Sequence, residues 1–424
     1  MNAIYLLNKH QKLTNIICCP NCYGELSYPK ADLFCNLPVA GKAICQKCGE
    51  VACITNFKFI FNSNSFAQFT TKSNNFSGLL KIIREGIDFN FLYPREAWHL
   101  HEKNYWSAEK NAKFSFPTQS LGVSLVFLKH PWSGIARVLI DSKEIGTIDL
   151  FEENGSMQIW YPIYLAGGEH LIEVVVTGTK NPLSKSTQVF LLAVEKLDLE
   201  NSGDDGIHYI SGNDGNPYPE RFADLLTKLP SDALVLDCGS GDRCFQDHRV
   251  INFEYCAFPL PDIFGDGHKL PFKSNSFDLI LSQAVIEHLY NPFTASSEIF
   301  RVLKPGGAVY AESAFMQPLH AVPYHFFNTT GWGLELLFKD FEIVETKYEG
   351  NLAQTLSWIY SLTGLRGKGL GTKLDQLLAI AGELDCHVTQ EELKNFSSFI
   401  SLYAKKPFGE IKDTVVDYET SVSD

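Results

Sequence analysis

Two groups of residues in this chain have types and spacings that could do chemistry. The first is four cysteines. Cys19 and Cys22 bracket Pro20-Asn21, Cys45 and Cys48 bracket Gln46-Lys47, and 22 residues separate the two pairs. Four thiolates from two Cys-x2-Cys turns make a closed tetrahedral site for a structural Zn²⁺, which staples a segment with little core of its own. Cys18, Cys35 and Cys53 read as small core residues, Cys18 also as an adjacent substitute for Cys19. The second group lies between Ala233 and Gly307. Ala233 to Leu236 is a short apolar run that suits a buried parallel strand, and it ends in Asp237. Gly239 and Gly241 follow in a tight turn, where glycine lets the backbone approach a ligand closely ahead of free N–H groups. A second run, Val250 to Phe253, ends in Glu254, which is placed to accept hydrogen bonds from ribose hydroxyls. Such a turn also serves NAD or FAD, but the third glycine of a dinucleotide fingerprint is missing here, where Arg243-Cys244 follow Gly241-Asp242.

The words that follow are more specific. Gly265-Asp266-Gly267-His268, then Leu270-Pro271-Phe272, Ser276-Phe277-Asp278-Leu279-Ile280, Glu287-His288 and Leu303-Lys304-Pro305-Gly306-Gly307 occur in that order. Together with the glycine turn they resemble the class I S-adenosylmethionine-dependent methyltransferases, over roughly Gly203 to Pro407. The resemblance implies a Rossmann-like seven-stranded sheet whose last strand, Phe396 to Lys405, is antiparallel. It implies that Asp237, Gly239 and Gly241 hold the methionine end of S-adenosylmethionine, Glu254 the ribose, and Asp266 with Gly267 the adenine. Gln283 would line the cleft near the methyl group, while His288 reads as a helix-start residue. Methyl transfer is an in-line displacement in which the enzyme mainly positions the nucleophile and excludes water. A hydroxyl nucleophile also needs a base, and His320 and His325 sit on the loop past the fifth strand, where one is wanted; Gln283 and Glu312 are alternatives.

The elements around these sites suggest a multidomain α/β plus β chain. Residues 1–61 resemble a zinc ribbon, a separate unit distant from the C-terminal domain, and 62–107 read as a connector in which Leu79 to Ile87 forms a helix. Across 108–196, short runs that alternate apolar and polar residues are separated by turn residues such as Asp141-Ser142 and Asn154-Gly155, which argues a β-sandwich. Ala136 to Asp141, Ile145 to Asp149 and Gly168 to Ile172 resemble the galactose-binding-like, jelly-roll carbohydrate-binding modules, so Trp132, Trp160 and Tyr161 are candidates to stack on sugar rings. An acidic, glycine-rich passage leads into the methyltransferase domain at 203–407, and 408–424 is expected to be a disordered acidic tail.

Bulk composition limits the partners. The 424 residues exceed one compact domain, and 45 % hydrophobic content is ample for packed cores. A net charge of −13 disfavours general nucleic-acid binding, which depends on Lys and Arg neutralising phosphates. No apolar run is long enough for a transmembrane helix, and the N-terminus lacks a signal-peptide pattern. Clustered thiols without such a signal point to a reducing, cytoplasmic setting. The expected function is methylation of a sugar or glycan-biosynthesis intermediate. An rRNA or tRNA base methyltransferase and a non-catalytic cofactor-binding scaffold are the alternatives; the presence of Asp237, Glu254 and Asp266 argues against the scaffold. The oligomeric state is left open.

Overall fold

The computed structural model describes residues 3–34, 37–55, 58–61, 80–120, 122–165, 168–199, 216–243, 247–258, 260–320 and 324–409. Cys35, the linker stretches of 62–79, most of the acidic passage and the expected tail from 410 onward lie outside the described residues.

A single eleven-stranded sheet carries both candidate sites. Its first four strands come from the cysteine segment: β1 (Leu26–Phe34), β2 (Leu37–Cys45), β3 (Val51–Thr55) and β4 (Lys58–Phe61), each antiparallel to the next. The other seven come from the C-terminal half: β5 (Val235–Cys238), β6 (Val250–Glu254), β7 (Ile263–Phe264), β8 (Phe277–Gln283), β9 (Leu303–Ala314), β10 (Glu342–Glu349) and β11 (Phe399–Lys405). The spatial order is β1-β2-β3-β4-β7-β6-β5-β8-β9-β11-β10. β5 and β6 are buried along their whole length, as the uninterrupted apolar runs require of strands covered on both faces. β11 runs antiparallel to both β9 and β10.

The cysteine segment, expected as a distant ribbon, is joined to this sheet. β4 pairs with β7 in parallel, Phe59 opposite Ile263 and Ile60 opposite Phe264. A helix that the sequence reading did not anticipate, α1 (Ala3–Ile16), packs over the junction. Leu13 and Ile17, four residues apart, bury on one face and share a core with Phe59, Ile251, Phe253, Ile263 and Phe272. The Lys9 ammonium lies 2.5 Å from the Asp262 carboxylate, and Cys18 N donates to Pro271 O at 2.9 Å. Phe59 is fully buried, and burying a Phe side chain stabilises by about 1.5–3 kcal/mol.

His10 on α1 is sealed in the same junction, with its Nε2 2.7 Å from Pro38 O and its ring stacked on Phe59 at 5.4 Å. Burial lowers its pKa to about 4, against the opposing pull of Pro38 O and of the Asp262 charge. The folded value lies below the unfolded one, so the unfolded chain binds more protons between them. Stability is therefore present above the unfolded pKa and is lost as pH falls toward the folded one. Going from about pH 7.5 to about pH 5 should remove roughly 2 kcal/mol. Denaturant midpoints of wild type and His10→Gln should show this acid-side loss in the wild type alone.

Between the two halves of the large sheet lies a β-sandwich. Its six-stranded sheet holds Met157–Tyr164, Gly122–Lys129, Val189–Leu199, Asn104–Ser107 and His99–His101, with Leu80–Glu85 also on Val189–Leu199. The facing five-stranded sheet holds Lys143–Asp149, Ile135–Ile140, His170–Val176, Lys113–Thr118 and Leu92–Tyr93. Phe127 and Leu125 from the first sheet meet Phe114, Val138 and Val174 from the second in one core. Leu80–Glu85, expected as part of a helix, is a strand because Val189–Leu199 offers it an antiparallel edge. His99 packs on Trp106, with ring centroids 4.6 Å apart, as ordinary strand-to-strand packing. Among the described residues no helix is long and apolar enough to cross a membrane.

Candidate active site and cysteine cluster

The parallel strands end at a cavity of about 840 Å³, as the crevice outside the carboxyl ends of an open α/β sheet requires. The glycine turn forms one wall. Gly239 N and Ser240 N both donate to Phe253 O, at 2.9 and 3.0 Å, which pins the turn to the end of β6. Gly239 has φ +83°, and a Cβ there would meet Val285 Cγ2 at 2.2 Å, so both conformation and crowding demand glycine. Glu254 closes the turn from below. Its Oε2 accepts from Gly241 N at 2.7 Å, and its Oε1 accepts from Tyr255 N and Cys256 N at 2.8 and 2.9 Å. Burial pushes this carboxyl up, while these N–H donors favour its charged form.

Asp266 follows two residues after β7. Both contacts from His268, the backbone N at 2.9 Å and Nδ1 at 2.6 Å, fall on its Oδ1. Burial works to raise its pKa, but the His268 side chain and backbone bring it below the usual carboxylate range. His268 Nε2 accepts from Asn291 N at 3.2 Å, so Nδ1 carries the proton, and the ring stacks on Tyr290 at 4.0 Å. Gly267 lies beside Asp266 on the same wall.

Gln283 ends β8 and bridges two charged neighbours. Its Oε1 accepts from Arg243 Nη1 at 2.5 Å, and its Nε2 donates to Glu312 Oε2 at 2.8 Å. Asp237 is fully buried and does not line the cavity. Its oxygens receive Tyr218 Oη at 2.8 Å and Arg243 Nη2 at 3.1 Å. Arg243, with its guanidinium 4.3 Å from the Tyr218 ring centroid, is the member of that pair that faces the cavity. The sequence reading registered Arg243 only as a departure from glycine.

Three further donors converge on the cavity wall. Glu287 and His288 stand in the short helical turn after β8, and His320 stands on the loop after β9. One ligand atom from each lies within 4.8 Å of the others. A carbonyl oxygen only accepts, so His288 Nδ1, 2.6 Å from Tyr324 O, and His320 Nδ1, 3.0 Å from Pro318 O, both carry protons. Among the described residues neither Nε2 has a hydrogen-bond partner. Burial lowers the pKa of both rings, which favours this neutral form. Glu287 is 1 % exposed, and burial pushes its carboxyl up to about 7 against the backbone N–H groups of Glu287 and Ala314; its Oε2 is buried with no hydrogen-bond partner among the described residues. His288, expected as a helix-start residue, is part of the cavity wall. His325 stands behind His320: its Nδ1 accepts from His320 N at 3.2 Å and its Nε2 donates to Asn328 Oδ1 at 2.8 Å, so neither nitrogen faces the cavity. Tyr324 and Phe326 from the loop and Trp358 from the helix Leu352–Ser361 add aromatic rings to the cavity wall.

The four cysteines also converge, with all Sγ atoms within 4.8 Å of one another. Cys19 Sγ lies 3.5 Å from Cys48 Sγ, and Cys22 Sγ 3.5 Å from Cys45 Sγ. These separations approach the ~3.8 Å edge of a sulfur tetrahedron built on Zn–S bonds of about 2.3 Å. Burial opposes charge on Cys45, but backbone N–H groups of Cys48 and Lys47 bring its thiol down to about 6. Gly24 keeps the cluster tight, since a Cβ there would meet Cys45 Sγ at 3.0 Å.

Fold and cavity together are those of an open α/β domain with a crevice at the carboxyl ends of its parallel strands. Residues 248–311 match the methyltransferase domain family. An uncharacterised methyltransferase of Schizosaccharomyces pombe is 42 % identical over 59 residues, 14 % of this chain and 20 % of that protein. The 2-phytyl-1,4-naphtoquinone methyltransferase of Synechocystis is 31 % identical over 121 residues, 23 % of this chain and 50 % of that protein. The chain spans half or less of the length of the curated relatives it matches. Among solved structures, an S-adenosylmethionine-dependent methyltransferase from Mesorhizobium loti is similar at 16 % identity and a TM-score of 0.27, covering 44 % of this chain and 98 % of that one.

Proposed function

We propose that the whole protein transfers a methyl group from S-adenosylmethionine to a hydroxyl of a sugar or glycan-biosynthesis intermediate. The observation that carries this reading is one cavity lined by two kinds of residue: the glycine turn, Glu254 and Asp266, which suit a nucleoside, and the clustered Glu287, His288 and His320 with aromatic neighbours, which suit an acceptor. Glu254 would hold the ribose and Asp266, through Oδ2, the adenine amine. Arg243 and the turn would hold the methionine end, with Asp237 orienting Arg243. When bound, the cofactor supplies an electrophilic methyl carbon on a sulfonium. A hydroxyl acceptor must then lose its proton, and the Glu287–His288–His320 group offers the lone pairs that can draw it off. His325 positions His320 through the loop.

The sandwich supports a carbohydrate acceptor. Trp132 is 47 % exposed, with Lys185 Nζ 4.9 Å from its ring centroid. Trp160 and Tyr161 are less free to stack, since Trp160 Nε1 donates to Glu195 at 3.1 Å and Tyr161 packs against the sandwich core. Cys19, Cys22, Cys45 and Cys48 would hold a structural zinc. Incubating the protein with methyl-labelled cofactor and separate glycan and RNA fractions should place label in the glycan fraction. Label in RNA would establish the base-methyltransferase alternative, and cofactor binding without label in any acceptor would establish the scaffold.

A further inference from the structure

We propose that Glu287, His288 and His320 form a divalent-cation site in the cavity wall. Three independent observations converge on it. The donor atoms of all three side chains fall within 4.8 Å of one another. The backbone contacts of His288 and His320 commit each Nδ1 to a carbonyl, so Nε2 is the nitrogen each ring has left to offer a ligand. That arrangement, with a second-side hydrogen bond fixing ring orientation, is how imidazole ligands are held. Finally, Glu287 Oε2 is a buried carboxyl oxygen with no hydrogen-bond partner among the described residues. A buried carboxylate oxygen without a partner is costly, and a cation is the partner that such an oxygen and two imidazole lone pairs share.

The carriers are held together by backbone bonds. Phe326 N donates to Glu287 O at 2.7 Å, which ties the loop after β9 to the turn after β8. The Trp358 ring lies 5.7 Å from that of His320 and closes the outer side. Two nitrogens and one carboxylate suit Mn²⁺, Fe²⁺, Co²⁺ or Zn²⁺ and leave coordination positions open toward the cavity.

Those positions define the acceptor class, a step that rests on the methyltransferase reading above: an acceptor with two adjacent oxygens, such as a vicinal diol or hydroxy-carbonyl. With the cation bound, the lone pairs of Glu287, His288 and His320 are its ligands and no longer draw off the proton; a cation-bound hydroxyl instead loses its proton to solvent far more readily than a free one. Its oxygen then bonds to the methyl carbon while the C–S bond breaks with its electron pair on sulfur, leaving S-adenosylhomocysteine.

The test uses full-length protein carrying no more than one zinc per chain, the equivalent the four cysteines would hold, and Mn²⁺ followed by electron paramagnetic resonance. Wild type should bind one Mn²⁺ with spin-echo modulation from directly coordinated nitrogen. His320→Ala and Glu287→Gln should each weaken binding by about tenfold or more. A wild type that leaves the free-ion signal unchanged at millimolar Mn²⁺, or bound Mn²⁺ without nitrogen modulation, overturns the site. So do both variants binding as wild type does. The nitrogen signal is read on wild type, so a variant that fails to fold leaves the test intact. Mn²⁺ binding without methyl transfer to any acceptor would overturn the functional reading alone.

Discussion

Replacing Asp266 with alanine should weaken S-adenosylmethionine binding by about ten- to hundredfold, the equivalent of losing one charge-assisted hydrogen bond of about 1.5–3 kcal/mol. The expectation follows from how the carboxylate is occupied. Both His268 contacts fall on Oδ1, leaving Oδ2 to receive the adenine amine. His268 is in turn fixed by Asn291 N and by stacking on Tyr290, so the carboxylate is oriented before a ligand arrives. Calorimetric titration with S-adenosylhomocysteine checks the effect. Unchanged affinity in Asp266→Ala would mean that adenine lies against another wall. Asp266→Asn, which keeps an acceptor oxygen and loses the charge, should fall between the two.

Cys45→Ser should lower cofactor affinity as well as abolish stoichiometric zinc, although Cys45 belongs to the segment expected to be remote from the cofactor. Cys45 ends β2, and β2, β3 and β4 form an unbroken antiparallel series up to the edge of β7. β7 is two residues long and leads directly into Gly265 and Asp266. Structural zinc sites supply roughly 10–16 kcal/mol in small zinc-binding units, so their loss commonly unfolds the unit they close. With β4 gone, β7 keeps only β6 as a neighbour, and the Asp266 turn loses its support. Metal analysis and cofactor titration on the same preparation test the coupling: a zinc-free variant with wild-type affinity would sink it.

The parts legible in the sequence were those written in local pattern. The runs ending in Asp237 and Glu254, the glycine turn between them and the alternating strands of the sandwich all carry their structure within a few residues. The paired Cys-x2-Cys turns do the same, and their sulfurs do meet. What was not legible depends on distant partners. The pairing of Phe59 with Ile263 leaves no trace in either neighbourhood. Leu80–Glu85 carries an ambiguous apolar run that became a strand only because Val189–Leu199 had an edge to offer. Arg243 showed itself as a missing glycine, but its bridge between Asp237 and Gln283 needs three elements in place. His288 read as a helix start, and Glu287 only as its neighbour in a motif, because their third member, His320, is supplied by another loop.

The parallel pairing of β4 with β7 also has a consequence in time. About 200 residues separate Phe59 from Ile263. A ribosome adding roughly 5–20 residues per second needs ~10–40 s to make them. Hairpins form in microseconds, so β1 to β4 can be in register long before β7 exists. Through that interval the outer edge of β4 presents unpaired N–H and C=O groups that any other extended chain could claim. The whole sandwich is synthesised in the meantime, with eleven strands of its own seeking partners. Early closure of the four cysteines around an ion would fix the register of the nascent strands and keep that edge short until its mate emerges.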